Sequence, residues 1–292
     1  MKKIHMLPNM ITLGNAFCGL LAISKGIDAL VATDPEVFYD KLEFACWLLV
    51  LAGVFDALDG KIARITRSYS DFGAQLDSLA DALTFGVAPA LLAKVLLEHE
   101  MGHVGFLGHP RIHFLAAAAF ALMAILRLAR YNLEVEHEQE AHDEFRGLPS
   151  PAAAGSVVGT LLLYLSLFNP GGEVTAGTPT PLGTLLKSLG ANPADLEPLR
   201  LWMLPVLTVL LPCLGLLMVS RVRYVHLFSV LTRGRSHFFT LVSMVFGLFV
   251  LYTAPVLFIF VFCNGFVLFG LVSSFLAARR RSAEQVGGGA GT

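Results

Sequence analysis

Long apolar stretches recur along the whole chain and constrain its fold more than any other feature. A helix that crosses the hydrocarbon core of a bilayer needs about 20 mostly apolar residues. Eight segments meet this requirement, at residues 10–32, 42–66, 72–97, 112–133, 151–168, 200–220, 237–255 and 257–277. Only 15% of the 292 residues are charged, whereas soluble domains have about a quarter. The sequence therefore predicts an all-α, polytopic membrane helix bundle with about eight transmembrane helices.

The boundaries of the predicted domain follow from where these stretches end. Residues 1–278 are predicted to form a single integral-membrane domain, and the glycine-rich residues 279–292 a disordered cytoplasmic tail. Pro255 is expected to separate the last two helices, because proline lacks an amide donor and disfavours helix continuation. Residues 169–199 are rich in glycine, proline and threonine and predict a loop outside the membrane. The sequence shows no internal repeat, which disfavours a transporter built from inverted repeats.

Lysine and arginine are distributed unevenly between the connecting segments. With the N-terminus in the cytoplasm, one side of the membrane has most of them, and the other side has only Lys41, Arg111, Lys187 and Arg200. Cytoplasmic segments are the ones enriched in these residues. The sequence therefore predicts a cytoplasmic N-terminus in the cell membrane. The formal net charge of −1 gives no reason to expect a nucleic-acid partner.

Four aspartates occur at helical spacing where the second segment ends and the third begins. Asp56 and Asp59 are three residues apart, and Asp77 and Asp81 are four apart, so each pair lies on one helix face. Consecutive antiparallel helices bring these faces together on the cytoplasmic side. Carboxylates at close quarters need compensation, and one or two Mg²⁺ or Mn²⁺ ions with phosphate would supply it. Asp71 lies just before the third segment and is interpreted as its N-cap.

Spacing alone leaves two functional classes open. Intramembrane carboxylates form metal sites in phosphoryl-transfer enzymes, and they also form cation sites and proton relays in transporters. Gly60 and Gly73 favour the first class, because a nucleotide could approach the backbone beside the carboxylates, and Arg64 could bind a diphosphate. Asn9, Thr12 and Asn15 share a polar face of the first segment. They would contact either the nucleotide or a neighbouring helix.

The residues from Asp56 to Asp81 form the pattern D-x2-D-G-x2-A-R-x8-G-x3-D-x3-D. This pattern resembles the complete signature of the CDP-alcohol phosphotransferase family. The resemblance implies that Asp56, Asp59 and Asp77 bind the metal and that Asp81 is both a ligand and the general base. It also implies a CDP pocket, to which we assign Asp59, Gly60, Ala63, Arg64, Gly73, Asn9 and Thr12.

Stretches outside the signature resemble the phosphatidylserine synthase branch of that family. They are PNMITLGNAFCG, LDSLADALTFGVAPA, RLARYN, FRGLPSPAAAG and MVSRVRY. The resemblance implies CDP-diacylglycerol as donor, L-serine as acceptor and a homodimeric membrane enzyme. A guanidinium from Arg127 or Arg130 could bind the carboxylate of serine, and Asn132 could add a hydrogen bond.

The expected reaction transfers a phosphatidyl group from CDP-diacylglycerol to L-serine and gives phosphatidylserine and CMP. Two alternatives remain open. One is the same chemistry with inositol, inositol phosphate, glycerol phosphate or choline as acceptor. The other is a cation-coupled membrane transporter.

Overall fold

The fold is described from a computed structural model, which covers residues 6–66, 70–101, 106–137, 145–169, 196–220, 222–224 and 237–288. Nearly all of these residues are helical, which confirms the predicted fold class. The α-helices are α1 (Met6–Leu30), α2 (Pro35–Thr66), α3 (Asp71–Asp81), α4 (Ala88–Met101), α5 (Pro110–His137), α6 (Ser150–Phe168), α7 (Glu197–Val219), α8 (His237–Thr253) and α9 (Pro255–Gly288). A π-helix, Ala82–Val87, joins α3 to α4. Two-residue strands, β1 (Phe145–Arg146) and β2 (Arg223–Tyr224), pair antiparallel.

The predicted number of eight spanning helices is not confirmed. In the described part of the chain, six segments are long and apolar enough to cross a membrane, namely Pro8–Leu30, Phe72–Met101, Pro110–Asn132, Ser150–Phe168, Pro198–Val219 and Pro255–Leu276. The other two predicted segments do form helices. However, α2 has charged residues near both ends, and α8 is only 17 residues long. The side of the membrane on which the N-terminus lies stays a prediction.

The second helix begins earlier than the sequence pattern predicts. Pro35 is its first residue, and the Asp34 carboxylate accepts a hydrogen bond from the Glu36 amide at 3.0 Å. Proline suits a first helical position because its missing N–H would be unpaired there anyway. Phe38 and Tyr39 are almost fully buried. Hydrophobic burial therefore extends the helix through a polar stretch that the apolar pattern starting at residue 42 does not include.

The third helix has a different N-cap from the predicted one. Ser70 has extended backbone angles, and its hydroxyl accepts a hydrogen bond from the Gly73 amide at 3.0 Å. Asp71 is already the first helical residue, so its prediction as the N-cap was wrong. A cap residue must lie outside the helix for its side chain to reach the third helical amide. Both residues are chemically suitable caps, and only the backbone conformation distinguishes them.

The helices pack in a small number of close pairs that place the functional residues. α1 lies along α2 and also contacts α3, the π-helix and α4, while α5 packs on α7 and α6 on α9. Small and medium side chains such as Ala22, Ala52, Leu92 and Leu161 are fully buried between them. Such side chains allow helices to approach closely inside a membrane. The N-terminal half of α1 consequently lies beside the C-terminal half of α2, where the Thr12 hydroxyl reaches Asp59.

The C-terminal part follows one prediction and departs from another. α8 ends at Thr253 and α9 begins at Pro255, so the predicted separation by that proline is confirmed. α9 continues beyond residue 278, where the disordered tail is predicted to start, and ends at Gly288. The domain division itself stays a prediction. Most of the predicted loop at 169–199 lies outside the described residues.

Candidate active site

Three carboxylates meet where α2 and α3 come together. Oxygen atoms of Asp56, Asp59 and Asp77 all lie within 4.8 Å of one another. Asp59 is only 6% exposed, and the other two are half-buried. The helical spacing within α2 puts the first two on one face, and α3 supplies the third. The structure thus brings together three of the four carboxylates that the sequence predicts to face one another.

Asp81 lies one helical turn beyond Asp77 and is not one of the three mutually close carboxylates. Its charge nevertheless interacts repulsively with those of Asp56, Asp77 and Asp59. Its side chain is 9% exposed. A buried carboxylate beside three others is costly unless cations or hydrogen-bond donors compensate it.

The polar face of α1 supplies such donors. The Thr12 hydroxyl donates to Asp59 Oδ2 at 2.9 Å, and Asn15 Nδ2 donates to Asp81 Oδ1 at 3.2 Å. Both α1 residues are buried. Asn9 belongs to the same face, and its Oδ1 would be 3.1 Å from a Cβ atom at Gly73. The face that could have served either a nucleotide or a neighbouring helix therefore contacts the aspartate-bearing helices directly.

Asn15 was not predicted as a site residue, although it shares the spacing of Asn9 and Thr12. Its position is fixed by the π-helix that follows Asp81. The Thr84 hydroxyl points at the Asn15 carbonyl oxygen at 3.4 Å, and a Cβ at Gly19 would lie 2.6 Å from the Thr84 hydroxyl oxygen. π-Helical turns inside longer helices are frequent at functional sites. No feature of the sequence predicts this π-helix, which brings the segment after Asp81 into close contact with α1.

Two polar atoms at this site have no hydrogen-bond partner within the described ranges. They are Asp77 Oδ1 and Asn15 Oδ1, and both are buried. Buried polar oxygens are nearly always paired, so unpaired ones call for an explanation such as a bound ion. The all-oxygen donor set of the aspartates is the kind that hard divalent cations prefer. The residues present therefore fit a metal ion, and this cluster could bind one.

The two glycines of the motif differ in their surroundings. A Cβ at Gly60 would meet nothing within 4 Å, whereas one at Gly73 would lie 3.0 Å from the Ser70 hydroxyl. Gly60 thus borders open space beside Asp59, and Gly73 permits close packing of α3. The predicted pocket residues Ala63 and Arg64 are in α2, but their side chains lie outside what the structure describes.

Helix α5 contains the residues that are predicted to bind serine, the acceptor substrate. The half-buried Arg127 donates from Nη1 to the Ser150 hydroxyl at 2.7 Å, and its charge interacts favourably with that of Asp81. Asn132 donates from Nδ2 to the Ser78 hydroxyl at 3.0 Å, which ties α5 to the residue next to Asp77. Arg130 lies on the same helix between these two residues. Sequence reasoning missed Ser78 and Ser150, since single serines give no distinctive signal.

Comparisons with known proteins match this site to one family. The model of the CDP-alcohol phosphatidyltransferase family matches residues 5–187, which contain all the site residues described above. A CDP-diacylglycerol–serine O-phosphatidyltransferase of Helicobacter pylori is 34% identical over 163 residues, which are 55% of this chain and 59% of that protein. The enzyme of that name from Bacillus subtilis is 35% identical over 57% of this chain and 79% of its own length.

An archaeal relative gives a similar result. The CDP-diacylglycerol–serine O-phosphatidyltransferase of Methanocaldococcus jannaschii is 35% identical over 54% of this chain and 61% of its own length. The chain thus spans about three fifths of the Helicobacter pylori and Methanocaldococcus jannaschii proteins, at 59% and 61%.

Proposed function

Because the chain belongs to the CDP-alcohol phosphatidyltransferase family, we propose that it transfers the phosphatidyl group of CDP-diacylglycerol to L-serine and releases CMP. The observation that carries the proposal is the convergence of Asp56, Asp59 and Asp77 beside a separately held Asp81. The names of the relatives support this donor and acceptor.

We assign the metal site to Asp56, Asp59, Asp77 and Asp81, with Mg²⁺ or Mn²⁺ as one or two bound ions. The unpaired Asp77 Oδ1 supports this assignment, because a buried oxygen without a hydrogen-bond donor is available to a cation. When bound, the metal supplies positive charge that offsets the carboxylates and the diphosphate of the donor lipid.

Asp81 is the proposed general base. The hydroxyl of serine loses its proton to the Asp81 carboxylate while its oxygen attacks the β-phosphorus of CDP-diacylglycerol. A P–O bond to serine forms, the bond from that phosphorus to the bridging oxygen of CMP breaks, and CMP departs with the electron pair. The hydrogen bond from Asn15 holds Asp81 in position for this transfer.

Arg127 is the proposed partner of the serine carboxylate, with Arg130 and Asn132 in the same pocket. The half-buried Arg127 guanidinium, whose charge interacts favourably with that of Asp81, supports this role, because it would place the carboxylate of serine near the base that needs its hydroxyl. Asn132 is held by Ser78, one residue after Asp77, so its amide lies next to the reacting region.

The CDP moiety is proposed to bind on the open side of α2. Gly60 leaves space there beside Asp59, which is held by Thr12. The remaining members of the pocket are Asn9, Ala63, Arg64 and Gly73. This placement would keep the acyl chains of the donor in the lipid while CMP leaves toward water.

We further propose that the enzyme lies in the cell membrane as a homodimer, with its N-terminus and active site facing the cytoplasm. The unequal distribution of lysine and arginine supports this orientation. Serine and CMP would then exchange directly with the cytoplasm.

The direct test measures CMP released from CDP-diacylglycerol by the purified full-length chain. Parallel reactions contain L-serine, glycerol phosphate, inositol, inositol phosphate or choline, each with Mg²⁺, Mn²⁺ or a chelator. We expect release with serine and a divalent ion, and phosphatidylserine in the lipid extract. Release with another alcohol alone would retain the chemistry and reject the acceptor. Ion-driven uptake into vesicles without CMP release under any condition would reject the enzyme.

A further inference from the structure

The bond between Arg127 and Ser150 fixes the orientation of the guanidinium. Arg127 lies on α5, and Ser150 is the first residue of α6 and is completely buried. The Ser150 hydroxyl accepts a hydrogen bond from Nη1 at 2.7 Å. A guanidinium is planar and presents its donors in a rigid fork, so holding one nitrogen restricts the direction of the others.

The remaining edge of the same guanidinium is available to a ligand. Arg127 Nε is buried, and no residue in the described part of the chain accepts its hydrogen. Nε and Nη2 together form one of the two edges that bind a carboxylate bidentately. Because Ser150 binds Nη1, it engages the other edge and leaves the Nε edge open.

Ser150 is itself fixed by the end of α7. The Leu148 amide donates to the Leu217 carbonyl at 3.1 Å, and the Gly147 amide donates to the Val222 carbonyl at 2.8 Å. Gly147 has a φ of +88°, and a Cβ there would overlap the Met218 carbonyl oxygen. Only glycine combines this backbone conformation with this contact. The segment 147–150 therefore reaches α6 in one defined path.

We propose that Ser150 is a positioning residue that sets acceptor specificity, by holding Arg127 with its Nε edge turned to the acceptor's carboxylate. The inference rests on the proposed function, in which Arg127 binds that carboxylate. Selection of serine, an amino alcohol with a carboxylate, then depends on the Ser150 hydroxyl even without contact between that hydroxyl and the substrate. It also depends on the docking of residues 147–150 against α7.

A purely structural Ser150 would behave differently in a substrate comparison. Ethanolamine has the same amine and hydroxyl as serine but lacks the carboxylate. If Ser150 acts through Arg127, its loss weakens the use of serine and leaves the use of ethanolamine unchanged. If Ser150 only supports the start of α6, both acceptors suffer alike.

The test measures kcat and KM for serine, ethanolamine and CDP-diacylglycerol with the purified full-length chain and its Ser150→Ala variant. Hydrogen bonds to charged groups are worth enough to expect a roughly tenfold rise in KM for serine. The preference for serine over ethanolamine should fall by the same factor, while kcat and KM for CDP-diacylglycerol stay unchanged. Ser150→Thr, which retains the hydroxyl, should restore KM for serine.

The matched control is Ser156→Ala, which removes a hydroxyl from the same helix where it contacts Asn264 at 2.6 Å. It should leave the preference between acceptors unchanged.

Should Ser150→Ala fail to fold, Ser150→Cys keeps the shape with a weaker hydrogen-bond acceptor and should show the same loss of preference for serine. An unaltered preference in the folded Ser150 variant, or an equal change in the control, would overturn the inference while the wild-type reaction stands. Absence of serine-dependent CMP release by the wild type would instead reject the proposed function, and the inference with it.

Discussion

Acidic side chains lie at both ends of the helical run from α3 to α4. The two groups differ in how many hydrogen-bond donors their carboxylate oxygens have. At one end Asp77 has a buried oxygen without a partner and lies among other carboxylates. At the other end Glu100, whose side chain is 2% exposed, has two hydrogen-bonding partners on each oxygen. Asp77 and Glu100 are separated by about 35 Å along the run, at about 1.5 Å per residue.

The partners of Glu100 come from several helices. Tyr39 of α2 and the adjacent His99 bind Oε1, while Tyr164 of α6 and Arg200 of α7 bind Oε2, at distances of 2.6 to 3.0 Å. A buried carboxylate whose two oxygens both accept hydrogen bonds links the helices that donate them. It has no free oxygen for a ligand. A cluster of carboxylates with unpaired oxygens does not stabilise the fold, because its charges repel one another. A bound cation would relieve that repulsion. The difference separates Glu100, which links helices, from the carboxylates that are proposed to bind a metal.

Replacing Asp81 by Asn alters the end that is proposed to be catalytic and should have the largest effect. Asn has the same shape but cannot accept the serine proton, so kcat should fall by roughly a hundred- to ten-thousandfold. The Tm measured in a chelator should not fall, because the change removes one of several repelling charges. CMP release and thermal unfolding of the same preparation check both statements. Full turnover of this variant would refute the assignment of Asp81 as the base.

Replacing Glu100 by Gln tests the structural end. Gln is neutral, so Arg200 loses its charged partner, and because the Arg200 side chain is 38% exposed this loss costs roughly 1–3 kcal/mol. We expect a lower Tm and an unchanged kcat in the protein that remains folded. A loss of kcat with an unchanged Tm would place Glu100 in the catalytic machinery and remove the contrast between the two ends.

Stabilisation of the protein by a metal ion should depend on the carboxylates around Asp77 and not on Glu100. At a hundredfold excess over its Kd, a ligand that binds only the folded state adds about 2.7 kcal/mol. Mg²⁺ or Mn²⁺ should therefore raise the Tm of the wild type and of Glu100→Gln. The increase should be lost in Asp77→Asn, and this readout requires no turnover. An equal increase in Asp77→Asn would show that the ion binds elsewhere.

The two glycines of the motif provide the smallest and most local test. Gly60→Ala adds a methyl group to open space within α2, so it should raise the free energy of unfolding by about 0.5–1 kcal/mol. The same methyl group narrows the proposed CDP pocket, and KM for CDP-diacylglycerol should rise. Gly73→Ala, by contrast, would press on Ser70 and Asn9 and should lower the Tm. An unaltered KM in Gly60→Ala would move the CDP pocket away from this face.

Local patterns in the sequence predicted much of this molecule. Apolar length predicted the helices, and Pro255 separates the last two as expected. The spacing of the aspartates predicted which carboxylates share a helix face. The predictions failed where local signals were ambiguous. Ser70 and Asp71 are both good cap residues, and α2 begins at Pro35 because Phe38 and Tyr39 are buried against other helices. The assignments of individual residues to metal, CDP and serine stay predictions.

The sequence by itself determined the helices, which carboxylates share a helix face and the resemblance to the family, because each depends on residue type and spacing along the chain. Only the tertiary structure decided which donors hold which carboxylate. Asn15 binds Asp81 across a sequence separation of 66 residues, and the π-helix after Asp81 packs against α1. Likewise, Ser150 reaches Arg127 because the segment before it docks on α7. Contacts of this kind depend on how helices pack, and the spacing within a single helix contains no record of them.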